Sequence, residues 1–278
     1  MNKTSSSRRA LLASMAAAGL PLSTPSAQAQ AATEKRRLRY AFPVAETGFD
    51  TVKISDLYSR TVTSNIFEAM YRYDHLTRPV QVRPLTAVDL PEVSNEFRSF
   101  KIRIRPGILF ADDPAFKGKP RELVAQDYVY SLQRFADPAT KSVTWGSIEE
   151  SKIVGLNALR KQHMADKKPW NYDREVPGLR ALDRYTLQID LEEPTPRFVQ
   201  LLADNGLYGA VAREVVEAYG EQLAAHPVGT GAFRLKSWRR SSEIVLERNP
   251  NYRERYYEDE ATPTADDVEG QALLAKFK

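Results

Sequence analysis

Few residues in this chain have types and spacing that bear on chemistry. The first group is "HPVGTGAFRL", His226 to Leu235, where two glycines stand one residue apart ahead of an alternating run. Backbone amides of a glycine-rich loop can cradle phosphate, but the Walker form needs Lys-Ser/Thr after its last glycine, and the dinucleotide form needs a third glycine opening a helix. Here Gly231 leads into "AFRLKSW", in which Phe233 and Leu235 alternate with Arg234 and Lys236, so the spacing predicts a turn into a strand. Asp112 and Asp113 offer neighbouring carboxylates for acid/base work, yet adjacent acids before a proline are the composition of a solvated turn. His75, His163 and His226 are too scattered for a zinc site, and with no cysteine there is no thiolate ligand, disulfide or sulfur nucleophile. Neither a metal nor a cofactor is expected. Ser131 or Ser147 with a histidine would make a secreted serine hydrolase, although neither serine sits in a G-x-S-x-G elbow.

The elements that must position these residues follow from periodicity. A short strand is expected at Arg37–Ala41, then a polar turn ending at Asp50. In "SDLYSRTVTSNIFEAMYRY", Ser55 or Asp56 can cap a helix whose Leu57, Val62, Ile66, Phe67 and Met70 form a core stripe. "FKIRIRPG" alternates Phe100, Ile102 and Ile104 with charged residues, a half-buried strand stopped at Pro106-Gly107. "VAQDYVYSLQRFADP" reads as a helix with Val124, Tyr128, Ser131, Leu132 and Phe135 along one side. Residues 139–180 look like an exposed excursion with a short helix at Ile148–His163. "DRYTLQIDLEEP" is a second half-buried strand, "PTPRFVQLLAD" and "AREVVEAYGEQLAAHP" are helices, and the glycine turn opens a hairpin that returns through Ile244 and Leu246.

The N-terminus has the order of a secretory signal: Lys3, Arg8 and Arg9 without acids, an apolar "ALLASMAAAGLPL", then small polar residues with A-x-A sites. Arg8-Arg9 also resembles a twin-arginine pair, leaving the export route open. Removing residues 1–31 lowers the formal charge from +4 to +1, and the remainder has no basic stripe, which argues against a nucleic-acid partner. A soluble periplasmic protein without a lipid anchor is expected.

Four ordered blocks, "AQDYVYSLQRFADP", "ALDRYTLQIDLEEPTPRF", "HPVGTGAFRLKSW" and "IVLERNPNY", resemble the extracellular solute-binding proteins of ABC importers, in the oligopeptide, dipeptide and nickel cluster. The resemblance implies an α/β fold of the type II periplasmic-binding kind: two lobes that close on a ligand, here with the first lobe and its extra subdomain present and the second lobe missing. On that pattern residues 32–74 begin the first lobe, 75–190 form the subdomain, and 191–278 return to the first lobe. It also implies a peptide or similar small solute as ligand, ABC importer permease subunits as partners, and a monomer when full length.

Glu46 matches a position where oligopeptide-binding relatives keep a glutamate beside the ligand, with Thr47 and Gly48 shaping the edge. A solvated turn is the alternative. Trp145 is read from its place in the irregular segment either as an aromatic wall or as a core anchor. Because family members run well beyond the equivalent of Lys278, the sequence reads as a fragment or as a remnant that no longer transports. A chaperone-like protein that engages unfolded chains is a further alternative to the hydrolase.

Overall fold

The computed structural model describes residues 37–74, 77, 79–256 and 263–276. The expected signal segment 1–31 and His75 lie outside the described residues. The chain divides into two units, Met1–Ala41 and Phe42–Lys278. Of the first, Arg37–Ala41 is described; it is largely exposed and forms no strand. A strand of this length is held by a neighbour's ladder, and residues 37–41 enter none among the described residues.

In the second unit the frame begins with α1, Leu57–Ile66. Its N-cap is Asp56, whose carboxylate accepts from the Ser59 amide at 2.7 Å, satisfying one of the donors a helix start leaves open. Val62 and Ile66 are buried as the stripe requires, but Leu57 is 69% exposed. At the first helical position it lies beyond the reach of the core that covers the rest of the stripe.

A short hairpin follows, β1 (Tyr71–Tyr73) on β2 (Val82–Pro84), then an antiparallel four-stranded sheet in the order β3 (Glu92–Ser94), β4 (Ser99–Arg103), β6 (Thr186–Asp190), β5 (Leu179–Ala181). Its register places Phe100 opposite Ile189 and Ile102 opposite Leu187, all four fully buried. Each such side chain contributes about 1.5–3 kcal/mol of burial. The alternate residues Lys101 and Gln188 face outward, which is the period-two pattern of the sequence made solid.

Against β5 and β6 packs α2, Ala125–Ala136. The sequence pattern gives it one apolar side, yet it is buried almost all round. Several of its polar residues are held there by specific partners. Asp127 accepts from the Val124 amide and from Arg121 at 2.9 and 2.7 Å, and Gln133 accepts from Trp170 Nε1 at 3.1 Å. Arg134 Nη2 spans both oxygens of Asp50 at 3.0 and 3.1 Å.

The segment 139–180 is not the exposed excursion expected. It carries α3 (Trp145–Glu150) and α4 (Leu156–Asp166), separated at Gly155, whose φ of +80° suits glycine. Ile148, Ile153, Leu156, Trp170 and Val176 all join the main core. Their spacing mixes turns with half-helices, so no single period exposes them to a pattern search. After β6 come the short helices α5 (Phe198–Leu201) and α6 (Asn205–Tyr208), then α7 (Arg213–Tyr219). The hairpin β7 (Phe233–Arg239) and β8 (Glu243–Arg248) lays Leu235, Trp238, Ile244 and Leu246 on a second apolar cluster around Phe49, Ile66 and Phe67. Finally α8 covers Val268–Lys276.

Candidate functional site

A wide, open concavity of about 1300 Å³ lies along the solvent side of α1. Leu57, Arg60, Thr61, Ser64, Asn65 and Glu68 recur at three- and four-residue steps and line it, directly opposite the buried Val62 and Ile66. The exposed Leu57 thus belongs to this wall. Further around the rim stand Tyr73, Arg197, Gln200, Tyr252 and Arg255.

Two close approaches fix α1 in this wall. On one side Gly206 of α6 sits so near that an added Cβ would lie 3.1 Å from the Arg60 carbonyl. Thr63 Oγ1 donates to the Gly206 carbonyl at 2.9 Å, and Asn205 accepts from the Ala69 amide at 2.9 Å. Arg60 and Asp204 form an ion pair across the same seam. At the other end the Gly229-Thr230-Gly231 turn closes over the C-terminus of α1. The Gly231 amide donates to the Ile66 carbonyl at 2.8 Å, and a Cβ on Gly231 would fall 2.5 Å from the Asn65 carbonyl oxygen. The two glycines therefore serve backbone contact, and the Gly231 amide is committed to the protein. That is the turn reading of the sequence, with its physical reason.

Thr230 between them points at Glu68, donating to Oε2 at 3.0 Å. Glu68 is buried and also receives both Nη atoms of Arg253 at 2.8 and 3.0 Å, with Arg255 at 3.4 Å and Tyr252 at 3.4 Å. Burial disfavours the charged guanidinium of Arg253, but the hydrogen bonds and charge of Glu68 outweigh it and leave its pKa raised. Burial, reinforced by Glu68, likewise pushes the Tyr252 phenol up. Tyr208, on the rim, is raised to about 12, chiefly by burial. Arg253, Tyr252 and Tyr208 are therefore not poised to exchange protons near neutral pH.

The expected ligand-loop residues do not line the concavity. Glu46 is only 5% exposed, and its carboxylate accepts the indole N–H of Trp238 in β7. Thr47 Oγ1 donates to Asp56 at 2.6 Å, and the Thr47 and Gly48 amides donate to Ser59 Oγ at 3.0 and 3.3 Å. This loop clamps the start of α1 rather than facing the cavity. Burial raises the Asp56 pKa, but the bonds from Ser59 and Thr47 prevail and hold it below 3.8. Gly48, at φ +150°, occupies backbone space open to glycine. Trp145 is buried in the main core with the Arg160 guanidinium 4.8 Å from its ring centroid, while its neighbours Thr144 and Ser147 reach the rim. The position is that of the core anchor.

Other candidates resolve similarly. Asp113 caps the 3-10 turn Pro114–Phe116 through the Ala115 amide, as a turn former should, but it is buried, with His226 at 2.8 Å. Ser131 Oγ donates to the Asp127 carbonyl at 2.6 Å and accepts from the Val211 amide at 2.9 Å, so its partners are backbone groups. No described histidine bonds to either serine. The sequence signal for the wall that does exist was the polar face of α1 itself, the set left over when the apolar stripe is removed.

The sequence pattern of the bacterial extracellular solute-binding proteins, family 5 (middle region), matches residues 81–272, more than half of the chain. The chain belongs to this family. The periplasmic oligopeptide-binding protein OppA of Salmonella typhimurium is 31% identical over 205 residues, 73% of this chain and 34% of that protein. A probable deoxycholate-binding periplasmic protein, YgiS of Escherichia coli, is 28% identical over 240 residues, 86% of this chain and 40% of its own. Among solved structures, the Escherichia coli murein tripeptide binding protein MppA superimposes with a TM-score of 0.59 at 28% identity, covering 73% of this chain and 36% of its own. The fold is thus the type II periplasmic-binding fold of the peptide cluster, and this family 5 chain spans little more than a third of the length of the relatives it matches. No helix among the described residues is long and apolar enough to cross a membrane.

Proposed function

We propose that this chain supplies the first lobe of a periplasmic substrate-binding protein that delivers peptides or similar small solutes to an ABC importer. The observation that carries the reading is the concavity along α1. An exposed helix face bearing Arg60, Thr61, Ser64 and Asn65 is held rigidly by two backbone-to-backbone seams and left open to solvent. A preformed wall of hydrogen-bonding groups with wide openings suits extended, variable solutes better than a snug cofactor pocket. Support comes also from the relatives, whose names record oligopeptides, a murein tripeptide and deoxycholate.

In this reading a solute bridges the wall to a second lobe, and its contacts with both draw the closed form out of an open ensemble. The importer's permease subunits then engage the closed form. Export without a lipid anchor, action as a monomer and the division at residues 75 and 190 belong to the same proposal. Glu46, Thr47 and Gly48 take part by fixing the N-terminus of α1, and Trp145 by anchoring the element that carries Thr144 and Ser147 to the rim.

The test is calorimetric or NMR titration of the purified chain with di- to pentapeptides, deoxycholate, nickel chelates and oligosaccharides. Saturable perturbation of α1 resonances by a peptide or similar small solute is the expected result. Hydrolysis of peptides or acyl esters, abolished by Ser131→Ala or Ser147→Ala, would overturn the proposal.

A further inference from the structure

The charges on the concavity wall are unequal. Among the described residues that line it stand four arginines, Arg60, Arg72, Arg197 and Arg255, against two carboxylates, Glu68 and Asp204. The two acids are already engaged: Asp204 by Arg60, and Glu68 by the half-buried Arg253 together with Arg255. Arg197 differs from the other three. It is exposed, it precedes α5 in the stretch Pro194 to Phe198, and its guanidinium makes no ion pair with a described residue. Beside these cations the same wall exposes apolar surface at Leu57 and Tyr73 and leaves Leu201 half-buried.

We infer that the wall selects solutes bearing a carboxylate next to an apolar body, the carboxylate being taken by Arg197. A guanidinium presents paired donors that match the two oxygens of a carboxylate, so an uncommitted arginine on a ligand wall is a directional receptor as well as a charge. The same charge draws anions and repels cations. This inference rests on the solute-binding reading and names the ligand class for that site. The carboxylate can belong to a peptide's acidic side chain or chain terminus, or to a free amphipathic acid.

The experiment is titration of the full chain, followed by NMR or calorimetry at low salt, with matched tripeptides Ala-Glu-Leu, Ala-Gln-Leu and Ala-Lys-Leu, each as free acid and C-terminal amide, and with deoxycholate. The acidic peptide should bind more tightly than the lysine peptide, and salt should narrow the gap. Arg197→Ala should weaken carboxylate ligands by about two- to fivefold, the upper range of a solvated ion pair. Arg197→Lys should recover part of this and Arg197→Glu should reverse the acidic-over-basic order. The amide series tells terminal from side-chain carboxylate, and deoxycholate alone among the ligands responding would assign the free acid. Equal binding of all three peptides, unmoved by Arg197→Ala or Arg197→Glu, would overturn the charge inference while leaving solute binding intact. Saturation by neutral oligosaccharide with no response to any carboxylate would do the same. Silence from every probe would overturn both readings.

Discussion

At the residue scale the buried pair Asp50 and Arg134 carries the greatest liability. Both side chains are 4% exposed, and the pair joins the loop before α1 to the last turn of α2. Removing one member leaves the other charge in a place water cannot reach. Arg134→Ala should therefore destabilise the protein by about 3–5 kcal/mol, read from urea unfolding. An apolar replacement of both residues, such as Asp50→Leu with Arg134→Met, should recover much of the loss. Asp56 acts more gently. Its pKa in the folded chain lies below 3.8, so the stability it contributes is present above that value and is lost as pH falls through the lower folded-state pKa. Asp56→Ala should cost about 1 kcal/mol at neutral pH, with mutant and parent converging on acidification below pH 3.8. Neither role was legible in the sequence beyond the cap itself. Asp50 and Arg134 are 84 positions apart, and no local pattern pairs them.

At the element scale, regular periods translated directly into structure. The alternations at Phe100–Ile104 and Tyr185–Leu191 became β4 and β6, because a two-residue repeat has one way to bury a face. The helix stripe at α1 was legible for the same reason, apart from Leu57, where the core ends before the helix does. Two kinds of element escaped. Segment 139–180 buries its apolar residues from turns and short helices without a common period. α2 hides polar residues whose partners come from distant segments. The glycine turn was legible as a turn but not in its purpose, since the Asn65 and Ile66 carbonyls it meets are more than 160 residues earlier. Gly231→Ala should force that turn away from α1 and destabilise by about 1–3 kcal/mol. Gly107→Ala offers the contrast: nothing lies within 4 Å of its added Cβ, so its cost comes only from the φ of +82°. Thermal melts of the two variants compare close approach with conformational strain.

At the scale of the whole molecule, the candidate site is assembled from parts that no stretch of sequence holds together. The wall draws on α1, on the α5–α6 region and on the chain after β8. The family resemblance pointed to a ligand loop at Glu46–Gly48, and that loop lies outside the lining of the wall, bonded to Ser59 of α1 and to Trp238 of β7. Family blocks are legible because they are contiguous, whereas a concavity is a property of their arrangement.

Glu68 gathers Thr230, Tyr252, Arg253 and Arg255 onto one carboxylate. This has a consequence for how the chain is cut. Trypsin needs an arginine side chain it can draw into its specificity pocket, and the half-buried Arg253 is tied down by both of its Nη atoms on Glu68. Cleavage there must wait for the fastening to open, so its rate follows that opening equilibrium. With Glu68→Ala the peptide bond after Arg253 should be severed at least about tenfold faster, as mass spectrometry of timed digests would show. The bond after the exposed Arg240 should keep its original rate. A single acidic side chain would then decide whether the polypeptide beyond the hairpin survives as part of the protein or is shed from it.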